Sequence, residues 1–371
     1  MEEDVSDIRQ GGAESDGATT EDDDQGKIAQ QKPPAREPLR RTRTLVSSEP
    51  RDPTSLTFLE SHAVKAPAER RYLKEVRLWR EFARARGDRI GAAEGVDASV
   101  VDYMNKLYSE GHPPNRGEQL RAGLEHVLPE VGRFGSSALP RSQRALKGWK
   151  RRIPPRSRRP LALCIWSGLC WELARVQRLD LARYLAWLVA TYMRPSEPLT
   201  LQKSDLLRPQ PGISKNWLCL VFREEREERS KVYASDESVE MTSKLAPYLA
   251  ELCEILKDGQ PKDYIFPFTY VELLGEFRKA ARTLGVQAVP YQARHSGASL
   301  DAALGHRSRL EIKARGRWSS DRNVIRYESK ARVIEILDQI PKPMIAHMKE
   351  CACRLGDLLC GRASARSLRR P

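Results

Sequence analysis

Between Arg141 and Arg159 the chain carries nine basic residues and no acidic one, in the order RSQRALKGWKRRIPPRSRR. With nothing acidic nearby to pair with it, such a passage reads as a linker joining two folded regions and lying along a phosphate backbone. Pro154, Pro155 and Pro160 also make its later part extended, because proline lacks a backbone donor and disfavours helix in the residue before it. The chain must therefore fold on either side of it. At 371 residues it is long enough for two globular domains with tails. The reading gives a charged, disordered N-terminal tail over 1–54, a helical domain over 55–148, a basic inter-domain linker over 149–160, a second domain over 161–335, and a C-terminal helix with a basic tail over 336–371. The net charge of +14 directs the whole toward a polyanion.

A membrane is the weaker partner. No run of about 18 apolar residues occurs, and LARYLAWLVATYM is short and followed by Arg194. The start, MEEDVSDIRQGG, lacks the basic-then-apolar order of a signal peptide, so the expectation is an intracellular protein without a membrane. Residues up to about 55 are poor in aromatics and rich in charge, glycine, serine and proline, which favours a solvated tail.

Beyond the tail, LTFLESHAV, ERRYLKEVRLWREFARARG, DASVVDYMNKLYSEG and NRGEQLRAGLEHVLPEVG carry apolar residues at spacings of three and four, predicting about four helices. In the second domain, helices are expected at LALCIWSGLCWELARVQ and LARYLAWLVATYM. NWLCLVF and KVYAS read as two strands. Helix resumes at SVEMTSKLAPYLAELCEIL and FTYVELLGEFRKAARTLG. The fold class is mainly α with a small antiparallel sheet.

Seven cysteines, an odd number, point to reduced thiols; Cys164, Cys170, Cys219 and Cys253 stand singly in apolar surroundings. His347, Cys351, Cys353 and Cys360 lack a CxxC pair and match no common zinc spacing. Met344, Met348, Cys351, Leu355, Leu358 and Leu359 instead form an apolar helical stripe, and no metal is expected.

Three places carry chemistry. Arg194, in ATYMRPSEPLTLQKSDL, sits where an apolar helix ends; Pro195 and Pro198 suit the first turn of a new helix, and Glu197 is placed to hold the guanidinium or cap that helix. In PYQARHSGASL, Tyr291, Arg294 and His295 have the spacing of one helical face, and Ser296 to Ser299 allow a close approach to the backbone. Trp318 lies nine residues before Tyr327 in GRWSSDRNVIRY. Its indole N–H serves a phosphate oxygen or its ring fills a core.

In this order, Arg194, Lys231, Tyr291-x-x-Arg294, Trp318 and Tyr327 resemble the tyrosine recombinase (phage integrase) family. YMRPSEPLTLQKSDL is similar to its first arginine box, QARHSGASL to its second, and GRWSSDRNVIRY to its third, in the tryptophan-bearing form of Cre recombinase. LGHRS imitates the more usual histidine form. Nine residues after His306, however, stands Arg315, whereas nine after Trp318 stands Tyr327. The tryptophan assignment prevails and makes His306 a helix-surface residue. Lys231, at the entry to the second strand, fits the family's hairpin lysine better than Lys203 or Lys215. Position 291 departs from the pattern, which has histidine there. A phenol with an ordinary pKa of about 10 donates a hydrogen bond but is a poor base at neutral pH.

The resemblance implies a two-domain clamp on double-stranded DNA, a homotetramer on two sites formed from free monomers or dimers, and strand cleavage and rejoining without metal, ATP or another cofactor. In that chemistry Arg194 and Arg294 grip the non-bridging phosphate oxygens, Trp318 adds a donor and Tyr327 becomes a 3′-phosphotyrosine. Lys231 protonates the departing 5′ oxygen, and Tyr291 assists, supported by Glu197 and His295. DNA contacts are expected from Arg141, Arg144, Lys147, Lys150, Arg151, Arg152, Arg156, Arg158 and Arg159. The implied location is the nucleus in a eukaryote and the nucleoid otherwise. The C-terminal stripe either passes to a neighbouring subunit or packs in its own. Two other readings stay open: a type IB topoisomerase, and a catalytically inactive DNA-binding protein derived from a recombinase.

Overall fold

The computed structural model describes residues 63–64, 66–132, 135–154, 159–222, 237–318, 320 and 330–369. Several expectations lie outside these residues: the tail over 1–54, nearly all of LTFLESHAV, the strand KVYAS, and the site residues Arg156, Arg158, Lys231 and Tyr327. The described residues fall into two compact units, 66–154 and 159–369.

The first unit is four helices: α1 (Ala66–Arg86), α2 (Ala93–Ser109), α3 (Asn115–Val127) and α4 (Pro140–Arg152). Their apolar faces meet in one core that includes Val76, Trp79, Val100, Met104, Leu120, Leu124, Leu146 and Trp149. Where α1 and α3 pack, a Cβ on Gly123 would stand 2.8 Å from the Tyr72 carbonyl oxygen, so only glycine fits. Arg116 grips both oxygens of buried Glu75 at 2.9 Å, a paired geometry that offsets the cost of burying the carboxylate.

The basic passage departs from expectation. A boundary near Gly148 with linker from 149 is replaced by a helix that continues to Arg152 and buries Trp149 in the first core. The physical reason is amphipathicity: Ser142, Leu146 and Trp149 repeat at spacings of four and three and are buried, while the cations take the other face. Asp97 of α2 caps the start of α4 by accepting from the backbone N–H of Arg141 at 2.8 Å and of Ser142 at 2.7 Å.

The second unit is built around two apolar helices, α5 (Leu163–Arg175) and α6 (Leu179–Thr191), each buried along nearly its whole length. A three-stranded antiparallel sheet in the order β1-β2-β3 follows, formed by β1 (Leu206–Leu207), β2 (Leu218–Phe222) and β3 (Glu237–Glu240). Leu206 pairs with Cys219, and Cys219 with Val239. The expectation of helix from Ser238 is wrong at its start. Ser238, Val239, Glu240 and Met241 alternate exposed and buried, a period of two that pairing with β2 rewards, and helix begins only at Leu249. Then come α7 (Leu249–Lys257), α8 (Tyr270–Thr283), α9 (Gln292–Ala303), α10 (Arg309–Gly316), α11 (Lys330–Asp338), α12 (Lys342–Cys353) and α13 (Leu355–Leu359).

Within this single chain the C-terminal stripe packs in its own unit. Met348, Cys351, Leu355, Leu358 and Leu359 join the core of α5 and α6. The Trp171 indole donates to the Cys351 carbonyl at 3.0 Å. Cys164, Cys170, Cys219 and Cys253 are buried free thiols, and burial raises the pKa of each.

Candidate active site

The site grows from the end of α6. That helix stops at Tyr192, whose backbone is left-handed at φ 55°, a conformation rare for a bulky residue. The reversal turns the Tyr192 carbonyl away from the helix ladder and starts the segment bearing Arg194. No second α-helix follows Arg194 as expected. Instead there is a turn and a short 3-10 stretch at Pro198–Thr200. Of the two readings for Glu197, holding the guanidinium is the one seen, and there is no α-helix here for it to cap: one carboxylate oxygen takes the Arg194 guanidinium at 2.8 Å and the other takes the Arg194 backbone N–H at 2.6 Å.

Helix α9 comes against the end of α6 at Gly297. A Cβ there would lie 2.0 Å from the Val189 carbonyl oxygen and 2.8 Å from the Tyr192 ring. The close approach read from Ser296 to Ser299 is thus made by α6. It carries Arg294, 2% exposed, to the Tyr192 carbonyl at 2.5 Å and to the Gly316 carbonyl. Burial, and then the charge of Arg194, push the Arg294 guanidinium down to about 10.

Trp318 follows α10. Its ring lies 4.7 Å from the Arg294 guanidinium carbon and stacks on Tyr192 with centroids 6.3 Å apart. Gly316 permits this, because a Cβ at that position would overlap the indole at 2.1 Å. With Ala298 and Ile312, Tyr192 and Trp318 form a small apolar cluster distinct from the main core. The His306 Nδ1 faces the Asp301 carboxylate at 3.2 Å, and the residue is half-buried, not the plain helix-surface residue expected.

Tyr291 immediately precedes α9, and its ring meets that of His295, with centroids 5.1 Å apart. Lys203 donates to the Asp258 carbonyl and pairs with Asp263 at 3.6 Å, and Lys215 is exposed. Arg159 pairs with Glu335 at 3.1 Å. In the first unit Arg141, Arg144, Lys147, Arg151 and Arg152 are exposed on α4, while Lys150 pairs with Glu118. Among the described residues no group of three or more His, Cys, Asp or Glu could hold a metal ion. Among them, too, no helix is long and apolar enough to cross a membrane.

Three residues that sequence reasoning missed complete the cluster. Arg315 is buried and bonds the Ala190 carbonyl through Nε at 3.0 Å and Nη2 at 2.6 Å, and the Glu240 carbonyl through Nη1 at 2.7 Å. Asp301, fully buried, accepts from the Tyr192 hydroxyl and from Arg307 at 3.2 Å. Arg317 reaches the second oxygen of Glu197. Asp301 had a signal: it stands seven residues after Arg294, on the same face of α9. The two arginines had none, since they belong to a segment already rich in charge.

Electrostatically the centre is Glu197. Burial alone would raise its carboxyl, but Arg317, then Arg294 and Arg194, outweigh burial and hold it below the usual carboxylate range. Arg194, its side chain 19% exposed, is the guanidinium of this group with the most access to solvent. Chemically, the arrangement is a rigid set of guanidiniums beside an indole, suited to an oxyanion.

No protein-family model and no curated protein matches the chain. Among solved structures it is similar to the Tn1549 transposon integrase in complex with transposon right end DNA, at 14% identity and a TM-score of 0.47, over 76% of this chain and 96% of that one. The same integrase with circular intermediate DNA gives 14% and 0.45, over 70% and 94%. XerA recombinase gives 18% and 0.35, over 73% and 98%. Likeness at this level does not place the chain in a family.

Proposed function

We propose that this protein cleaves and rejoins double-stranded DNA as a site-specific recombinase or integrase of the tyrosine type. One observation carries the reading. Arg194, Arg294 and Trp318, three of the described residues that carry the resemblance, lie far apart in sequence yet gather around one carboxylate and one indole face. A surface arginine, a core arginine and a stray tryptophan would have no reason to meet.

In this reading the phosphodiester enters beside Arg194, with Arg294 anchored behind it by two carbonyls and its remaining donors available for charge that grows on the phosphate. The Tyr327 hydroxyl releases its proton to solvent water as its oxygen attacks phosphorus, and the bond to the 5′ oxygen breaks. The leaving oxygen takes a proton from Lys231, and the new phosphotyrosine keeps the bond energy for rejoining. Attack by a 5′ hydroxyl reverses the step and frees Tyr327. Tyr291 contributes a phenolic donor, backed by the His295 ring. The exposed cations of α4, with Arg156, Arg158 and Arg159, bind the backbone of the duplex, and the active assembly is a homotetramer on two sites.

The test is covalent trapping. DNA crosslinked to the full-length protein is sequenced, and a nicked suicide duplex built on that site is incubated with wild type and Tyr327→Phe. The expected result is a protein–DNA adduct with wild type and none with the variant. Binding without any adduct would identify an inactive DNA-binding protein. Relaxation of supercoils without strand exchange would identify a topoisomerase.

A further inference from the structure

Helix α10 ends in an arrangement that costs it something. Its last residue is Gly316, yet the left-handed position belongs to Arg317, at φ 52°. The backbone closes normally around it, with the Arg317 N–H on the Ala314 carbonyl at 3.0 Å and the Trp318 N–H on the Lys313 carbonyl at 3.1 Å. Glycine takes this position at no steric cost and is the usual occupant. Here the glycine stands one residue earlier, where the Trp318 ring excludes any side chain. The strained residue is an arginine whose side chain is 6% exposed and ends on the Glu197 oxygen that also receives the Arg194 backbone N–H. Strain held at one residue whose side chain reaches the centre of a site is a reason to look for a role there.

We infer that Arg317 is a positioning residue: it fixes the Glu197 carboxylate from the α10 side so that Glu197 holds Arg194 in place for a phosphodiester. The inference rests on the recombinase reading for its substrate but on geometry for its mechanism. Glu197 is a single acceptor shared between two arginines, one on each oxygen through a side chain. With Arg317 in place the carboxylate cannot rotate, and the Arg194 fork inherits that fixed orientation. Without it, the Glu197 oxygen that Arg317 held keeps the Arg194 backbone N–H from its own turn, and the carboxylate loses its anchor from the α10 side.

The consequence is measurable in pH as well as in rate. The charged and titratable groups facing Glu197 are Arg194 on its own turn, Arg294 from α9, Arg317 after α10, Tyr184 from α6 and Cys219 from β2. Since Arg317 helps hold Glu197 below the usual carboxylate range, the wild type keeps this interaction until the pH falls through that depressed value. In Arg317→Gly the loss begins at higher pH.

The experiment follows adduct formation by the full chain on the nicked duplex, across about pH 3 to about pH 8, for wild type, Arg317→Gly, Arg317→Lys, Glu197→Gln and the Gly/Gln double variant. Arg317→Gly relieves the left-handed backbone, which offsets part of the cost of removing a buried ion pair, and Arg317→Lys keeps the charge without the fork. Arg317→Gly is expected to lower the rate about tenfold or more and move the acid limb upward, with Arg317→Lys in between. In the Glu197→Gln background the same change is expected to add little, because Arg317 acts through that carboxylate. A wild-type rate and acid limb in Arg317→Gly, or full additivity with Glu197→Gln, would overturn the inference. If the wild type forms no adduct, the recombinase reading fails by itself, and thermal unfolding against pH decides Arg317. A wider stable range on the acid side in wild type than in Arg317→Gly upholds the positioning role; parallel curves reject it.

Discussion

On α4, Arg141, Arg144, Lys147 and Arg151 stand in solvent at one-turn spacing, whereas Arg294, Arg315 and Arg317 are almost wholly buried around Glu197 and Tyr192. Both regions concentrate positive charge, but by different physics. On the helix each cation keeps its water, and affinity for a polyanion comes from their sum. Around Glu197 each guanidinium has given up water for a named carbonyl or carboxylate, so its position is fixed and no neighbour can substitute for it. A count of charges measures the first region; only the bonding partners describe the second.

That contrast can be broken most forcefully at Arg294. Arg294→Ala should remove about 100-fold or more of adduct formation, since one preorganised donor to an oxyanion is commonly worth that much. It should also cost about 3 kcal/mol of stability by leaving the Tyr192 and Gly316 carbonyls without their buried donor, read by chemical denaturation. A variant with wild-type rate would show that burial here is merely structural.

A smaller effect is expected one shell away. Asp301→Asn replaces the acceptor of the Tyr192 hydroxyl and of Arg307, and should destabilise by about 2 kcal/mol. Because the Tyr192 carbonyl and ring support Arg294 and Trp318, the adduct rate should fall beyond what the folded fraction explains. A rate that merely tracks the folded fraction would uncouple Asp301 from the site.

The smallest change belongs to the solvent-facing helix. Lys147→Ala should shift stability by less than about 0.5 kcal/mol and reduce the salt slope of DNA binding by about one. A loss of affinity confined to one DNA sequence, with the salt slope intact, would show that Lys147 reads bases, and would make the two regions more alike than described.

Much of the site was legible where local geometry decides it. The pairing of Arg194 with Glu197 follows from their separation of three residues. The small residues of α9 announced a close neighbour before α6 was known to be it. What could not be read depends on distant partners. Ser238 to Met241 is a strand because β2 lies beside it. Arg315 and Arg317 look like the surface charges around them until Ala190, Glu240 and Glu197 arrive from more than 70 residues away. Trp149 reads as linker by the charge around it and as core by its spacing with Leu146 and Ser142, and the packing of α2 decides for the core.

The contact between Trp171 and Cys351 joins positions 180 residues apart, and Met348 fills the space above Gly168 on the same helix. During synthesis, then, α5 must wait with one flank bare until residues beyond 342 have left the ribosome, while α1 to α4 already have every partner they need. The contacts of the first unit close early on the nascent chain, whereas those of the second close only once its C-terminal helices are made.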